Sequence, residues 1–382
     1  MTGTPETAQG ILRHHSIGDL RLENGITLPE VRISYETWGT LNEDGDNAIL
    51  ILHALTGDTH VSRGSAPEGT PADVAAEIER DGWWEGIVGP GAVVDTNKYY
   101  VVAPNILGGC YGSTGPASLI PAGYPGEGQP WGGAFPQVSI RDSVHAEARL
   151  AQTLGITSFR YVIGGSLGGA RALEWAATYP HLVRGCAVIA SGPAATAEQI
   201  AWAHTQNVAI RSDANFASGD YYDGPAPTAG LALARRIAHT TYRSAAELDA
   251  RFGRAPQGEE DPAVGGRYQV ESYLDYHAGK LLARFDANTY LIVTHSMMVH
   301  DVGTGRGGIQ AALSTVTART LVVDVDSDRL FQPAQAEELA DGIPGAHRET
   351  VHSLHGHDGF LIETGQMEAV LRRFLAESEA EA

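Results

Sequence analysis

Ser166 stands between two pairs of glycines in VIGGSLGGARALEWA (162–176), directly after a β-branched run and directly before a helix-forming stretch. A glycine inside a regular element costs roughly 0.5–1 kcal/mol against alanine, so four of them need a geometric reason. Strand, then G-x-S-x-G, then helix is the pattern of a nucleophile elbow: the turn forces a strained backbone at the serine, and side chains at 164 and 168 would collide with neighbouring elements. A helix beginning near Leu167 also aims its amide donors, and the positive end of its dipole, at any negative charge that develops beside Ser166. The competing reading, a phosphate-cradling loop, requires G-x-x-x-x-G-K-[ST] or G-x-G-x-x-G, and this stretch has neither.

An elbow serine needs a base, and the chain order of such sites puts the acid after a later strand and the histidine after the last. TLVVDVDSDRLFQP (320–333) offers Asp324 within the run, Asp326 at its edge and Asp328 in the loop, where a side chain can converge on a site; Asp328 is the expected acid. HSLHGHDGFL (352–361) holds His352, His355, His357 and Asp358 within seven residues. Neither H-E-x-x-H nor C-x-x-C accompanies this cluster, and one tight loop is a poor source of three ligands, so no metal is expected. His357, with a glycine before it to turn the loop inward, is the expected base, leaving His352 and His355 as solvent-facing loop residues. The two amide donors that acyl transfer requires are expected from Leu167, after the nucleophile, and from Leu55 in AILILHALTGDTH (48–60), after an early strand.

The elements that must position these groups alternate. LRLENGITLPEVRISYETWG (20–39) reads as a hairpin turning at Asn24 and Gly25, and short apolar runs follow at 48–54, 99–104, 159–165, 185–192, 320–325 and 348–353. Continuous runs of this length suit strands buried on both faces of a mainly parallel sheet. Helices are expected at 141–155, 171–180, 333–343 and 367–379, which makes the fold class α/β. Residues 194–310 break the rhythm with AEQIAWAHTQNVAIR, AGLALARRIAHTTYRSAAELDARF and RYQVESYLDYHAGKLLARF. They read as a helical insertion over the carboxyl edge of the sheet, set into a core made of residues 1–193 and 311–382.

Composition bounds the partners. The 382 residues are 43% hydrophobic and 19% charged, with a net charge of −20, which argues against nucleic-acid binding. No window approaches the ~18 apolar residues of a membrane span. The polar start MTGTPETAQG lacks a basic-then-apolar leader, so a cytoplasmic protein is expected. Cys110 and Cys186, the two cysteines, are expected to be buried packing residues.

HALTGD (53–58), NILGGCYGSTGP (105–116), GGSLGGARALEW (164–175), GLALARRIAHTTYR (230–243), RFDANTY (284–290), SDRLFQP (327–333) and GHDGFLIE (356–363) together resemble the homoserine O-acetyltransferase family. The resemblance runs in order over about residues 15–375. It implies an α/β-hydrolase core, a helical lid that forms a homodimer, and a Ser166, Asp328, His357 triad. It implies substrate contacts from Arg235, Asp358 and Tyr242, and acetyl-CoA and L-homoserine as substrates, with no metal or tightly bound cofactor. Where the family usually has methionine after the nucleophile, this chain has Leu167. The residue chemistry fits: homoserine carries a carboxylate for a bidentate guanidinium at Arg235 and an ammonium for Asp358, while Arg236 would point about 100° away on the same helix. The rival readings are the same machinery with succinyl-CoA or L-serine, a plain esterase, and a non-catalytic binding protein on this fold.

Overall fold

In the computed structural model, which describes residues 9–380, the main sheet contains eight strands, and a second sheet pairs the two short strands Val88–Gly89 and Val94–Asp95. Most of the polar start lies outside the described residues. The hairpin forms β1 (Arg13–Arg21) and β2 (Thr27–Trp38); its turn closes through Gly25 N–H to Leu22 O and Ile26 N–H to Asn24 Oδ1. There follow β3 (Ala48–Leu52), β4 (Tyr100–Pro104), β5 (Phe159–Gly165), β6 (Gly185–Ile189), β7 (Arg319–Val325) and β8 (His347–Val351). Their spatial order is β1-β2-β4-β3-β5-β6-β7-β8, with β1–β2 and β2–β4 antiparallel and every other pairing parallel.

The period-2 geometry of a strand sends successive side chains to opposite faces, so a continuous apolar run feeds two cores. On β3, Leu50 and Leu52 join one buried cluster with Val102, Val162, Val188 and Trp175, whereas Ile49 and Ile51 join the other with Val101, Ile163 and Phe374. The flanking helices are α1 (Ile140–Thr153), α2 (Leu167–Thr178), α8 (Pro333–Gly342) and α9 (Thr364–Ala380), the numbers between being those of the insertion. Ser139 and Asp142 close a reciprocal cap at the start of α1.

The expected strands stop short at the carboxyl edge. The run 48–54 ends as strand at Leu52, 185–192 at Ile189 and 348–353 at Val351. The residues beyond these points, 53–54, 190–192 and 352–353, have left the ladder to build loops.

The insertion contains α3 (Ala197–Arg211), α4 (Thr228–Tyr242), α5 (Ala245–Arg251), α6 (Gln269–Leu282) and α7 (Ala287–Met298). The single helix expected over 229–252 is two, because the Ser244 hydroxyl accepts from Glu247 N–H and caps a new helix. Helix α7 was not foreseen; Asp286 caps it by accepting from Thr289 N–H at 2.7 Å. The segments entering and leaving the insertion meet in an isolated bridge at Ala194 and Asp301, while Val302, Ala312 and Leu313 pack in the main core. The last helix, expected at 367–379, begins earlier, at Thr364, and a short turn of helix at Gly359–Ile362 precedes it.

Candidate active site

Ser166 occupies the junction of β5 and α2 with φ 58° and ψ −121°, a conformation that L-residues rarely adopt. The surrounding glycines are required by contact. A Cβ on Gly164 would overlap the backbone of Gly168, and one on Gly168 would overlap the carbonyl of Leu52 at the end of β3. The strained turn is therefore held by backbone pressed against backbone on two sides. Ser166 caps α2 without using its side chain, so its hydroxyl is left for other partners.

That hydroxyl lies 2.9 Å from His357 Nε2, and His357 Nδ1 lies 2.6 Å from Asp328 Oδ2. The other oxygen of Asp328 accepts from the N–H groups of Leu330 at 2.8 Å and Phe331 at 2.9 Å, which fixes the carboxylate in the loop after β7. All three residues are buried. Burial alone would depress the His357 imidazole, but the carboxylates of Asp328 and Asp358 outweigh it, and its pKa is raised above the ordinary histidine value. An imidazole braced by a carboxylate and hydrogen-bonded to a hydroxyl can take that hydroxyl's proton as it attacks a carbonyl.

The other candidates from the same loops have different partners. Asp324 is buried in an ion pair with Arg348, and Asp326 accepts from His352 at the exposed edge. His355 pairs with Glu247 of α5. The three histidines of the cluster thus face three different carboxylates. Cys186 is buried, with burial pushing its thiol up to about 12, whereas Cys110 is only partly buried.

Leu167 opens α2, where its amide has no acceptor within the helix. Its side chain is fully buried among Ile106, Ile140 and Val293, with Leu55 and Met297 against it. Leu55 sits in the loop after β3 and borders the same space as Ser166. His53, which the sequence reading passed over although it quoted HALTGD, ties that loop down. Its Nδ1 donates to Ala54 O at 2.8 Å and its Nε2 accepts from Ile106 N–H at 3.2 Å. Burial first, then Arg171, lowers its pKa to about 3, so the ring stays neutral and keeps both bonds.

Two cavities meet at Ser166, sharing Leu55 and Tyr242 in their walls. One, of about 970 Å³ including its open mouth, is lined by Arg235, Arg243, Arg284, His239, His277 and Asp358. The other, of about 590 Å³ on the same measure, is walled chiefly by Leu167, Trp202, Met297, Met298 and Phe331. A chain of net charge −20 has therefore gathered three arginines beside its serine.

Arg235 and Arg236 diverge on α4. Arg236 forms an exposed ion pair with Asp275, whereas Arg235 faces the charged cavity with Nε and Nη1 buried and unpartnered, its guanidinium 5.5 Å from the centroid of the Tyr242 ring. Tyr242 in turn lies 5.9 Å from the His357 ring. Asp358 reaches the cavity too, but its carboxylate is 3.2 Å from Arg243. Burial raises its pKa, against the pull of Arg243, His357 and Arg235. Arg243 was within the quoted motif; it directly follows the last residue of α4, Tyr242, with an extended backbone (φ −102°, ψ 143°), so the helical repeat that put Arg236 off-face does not report where it points. His239, also missed, is buried with both ring nitrogens unpartnered, and burial together with Arg235, His277 and Arg243 lowers its pKa to about 2.

Known proteins share this arrangement of chain. A sequence profile of the alpha/beta hydrolase fold matches residues 47–364. A homoserine O-acetyltransferase of Thermobifida fusca is 56% identical over 361 residues, covering 94% of this chain and 92% of that one. Its counterpart in Mycolicibacterium smegmatis is 48% identical, covering 98% and 96%. Among solved structures, a homoserine O-acetyltransferase from Bacillus anthracis superposes with a TM-score of 0.86 at 26% identity, covering 96% of this chain and 97% of the other. Esterase E22 superposes with a TM-score of 0.84 at 25% identity, covering 96% and 99%. With the alpha/beta hydrolase fold and nearly full-length identity of this order, the chain belongs to the homoserine O-acetyltransferase family.

Proposed function

We propose that the protein transfers the acetyl group of acetyl-CoA to the side-chain hydroxyl of L-homoserine through an acetyl-Ser166 intermediate. The observation that carries this reading is the hydrogen-bonded chain Asp328–His357–Ser166 opening onto a cavity in which Arg235 Nε and Nη1 are without a hydrogen-bond partner. Asp328 orients His357, which removes the proton of Ser166 as the hydroxyl attacks the thioester carbonyl. The amides of Leu55 and Leu167 hold the oxyanion, and coenzyme A departs as its thiol. His357 next takes the proton of the homoserine hydroxyl, which attacks the acetyl-serine and leaves as O-acetyl-L-homoserine. Arg235 receives the homoserine carboxylate, and Asp358, already sharing Arg243, receives the ammonium with Tyr242 alongside. Neither step calls for a metal or bound cofactor.

A homodimer formed across the lid belongs to the same proposal, supported by the exposed Ile200, Val208, Leu233 and Tyr276 on α3, α4 and α6. A cytoplasmic setting follows from acetyl-CoA as donor. The test is release of CoA from acetyl-CoA with and without L-homoserine, alongside mass analysis for O-acetylhomoserine and free acetate. Homoserine is expected to accelerate release and carry the acetyl group, because a well-held acceptor has an effective concentration far above that of water. Equal release without homoserine, with acetate as the main product, would make the chain an esterase.

A further inference from the structure

Building on that acyl-transfer reading, we propose that the protein also transfers straight apolar acyl groups of three and four carbons from their CoA thioesters to the same acceptor, and discriminates against acyl groups that end in a carboxylate. The apolar cavity beside Ser166 is the acyl chamber.

The argument starts from which cavity each reacting group borders. His357 lines the charged cavity and is not among the residues lining the apolar one. The CoA sulfur must receive its proton from His357 Nε2, and the acceptor hydroxyl must give its proton to the same atom. Leaving group and acceptor therefore both occupy the charged side, in turn, as a two-step exchange permits. Leu167, a proposed oxyanion donor, borders only the apolar cavity, and Leu55 borders both. With the oxyanion at that junction and the exchanging group on the charged side, the remaining substituent of the tetrahedral carbon, the acyl chain, is directed into the apolar cavity.

That cavity has room for more than a methyl group: its space is about 590 Å³ with the open solvent at its mouth counted, and Met297 and Met298 in its wall are flexible enough to close on a short chain or yield to a longer one. No Lys, Arg, His, Asp or Glu is among its described lining residues. A terminal carboxylate placed there would lose its water without gaining a cation.

The chemistry is unchanged and balances. The acyl carbon forms a bond to Ser166 Oγ as its bond to sulfur breaks, and the serine proton passes through His357 to the thiolate. The homoserine oxygen then takes the acyl carbon, its proton returning through His357 to Ser166.

The experiment compares acetyl-, propionyl-, butyryl- and succinyl-CoA as donors to the full chain, reading CoA release and the mass of the acylated homoserine. Propionyl and butyryl are expected within about tenfold of acetyl in kcat/KM, and succinyl at least about 100-fold below it. Two lid-wall variants sharpen the assignment. Ala203→Trp is expected to lower the butyryl-to-acetyl ratio by roughly tenfold or more, and Met298→Arg to raise the succinyl-to-acetyl ratio. Butyryl transfer below a hundredth of acetyl in the unaltered protein would overturn the proposal, as would a succinyl rate equal to acetyl. So would both ratios standing unchanged in variants that melt as the parent does. Failure with acetyl-CoA itself would instead overturn the reading on which the proposal rests.

Discussion

At the carboxyl edge of the sheet every polar side-chain atom of the Asp328–His357–Ser166 chain has a partner, whereas in the lid Arg235 Nε, Arg235 Nη1 and both ring nitrogens of His239 are buried with none. Buried polar groups in native proteins are normally satisfied, so an unsatisfied one calls for a reason. The contrast separates two tasks. Groups that must act on any substrate are organised in advance by the loops after β7 and β8, where reorganising them during reaction would cost rate. Groups that, on the proposed reading, recognise a substrate are kept dry and unpaired in α4, where a carboxylate can satisfy them.

The largest expected effect breaks the preorganised side. Ser166→Ala mixed with acetyl-CoA is expected to gain no acetyl group by mass spectrometry, while the unaltered chain gains one on Ser166. Asp328→Asn leaves a neutral amide facing His357 and is expected to cost on the order of 10⁴-fold in turnover. An acetyl group found on another residue, or turnover kept in Ser166→Ala, would remove the triad from the mechanism.

Breaking the waiting side is expected to cost less and to strike a different step. Arg235→Ala should still form acetyl-enzyme but lose about 2–4 kcal/mol of transition-state stabilisation in transfer to homoserine, as when one partner of a buried charged pair is removed. Arg236→Ala, whose guanidinium is tied to Asp275 at the surface, is expected to change neither step. Single-turnover acetylation followed by a homoserine chase separates the two. Reversed phenotypes would exchange the arginines' roles.

How much of this was legible in the chain divides along the same line. The elbow could be read because its glycines answer a local backbone demand, which the close approaches at Gly164 and Gly168 make explicit. Asp328 and His357 could be read because chain order around such a sheet restricts where they come from. Strand ends were set too late at 54, 192 and 353 because residue composition does not report where ladder hydrogen bonding stops and the loops at the carboxyl edge begin. The lid was legible as helical but not in its detail: Ser244 and Asp286 start helices through single capping bonds that hydrophobic periodicity does not report. Arg243 and His239 were missed because their importance lies in a shared cavity, and the ion pair of Arg243 with Asp358 joins residues far apart in sequence.

A smaller effect tests the seam between the two regions. Asp358 sits beside His357 and helps raise its pKa, and the imidazole must be neutral to act as base. A raised pKa means that acylation switches on as pH climbs through a value above the ordinary one for histidine, and falls away on the acid side. Asp358→Asn removes one of the two supporting carboxylates, so the acid limb is expected to move to lower pH. The profile is measured on acetyl-enzyme formation without homoserine, which keeps any loss of ammonium binding out of the result. An acid limb that stays put would mean Asp328 alone sets the imidazole's basicity.

The smallest expected effect concerns Leu167, the residue directly after the nucleophile. The role proposed for this residue belongs to its amide at the start of α2, and a leucine-to-methionine change leaves that amide in place. Its side chain is fully buried against Ile106, Ile140 and Val293, so the substitution is felt as packing. Exchanges between these two side chains usually cost under about 1.5 kcal/mol, since volume is nearly conserved and methionine adapts to irregular space. Leu167→Met is therefore expected to shift the melting temperature by a few degrees at most and to leave acetylation of Ser166 within a few-fold. Its effect should instead appear in donor preference, because Leu167 is among the residues that line the apolar cavity and a change in its packing is passed to that wall. A large loss of acetylation in a variant that melts normally would mean that the leucine side chain, and not its amide alone, positions the thioester carbonyl.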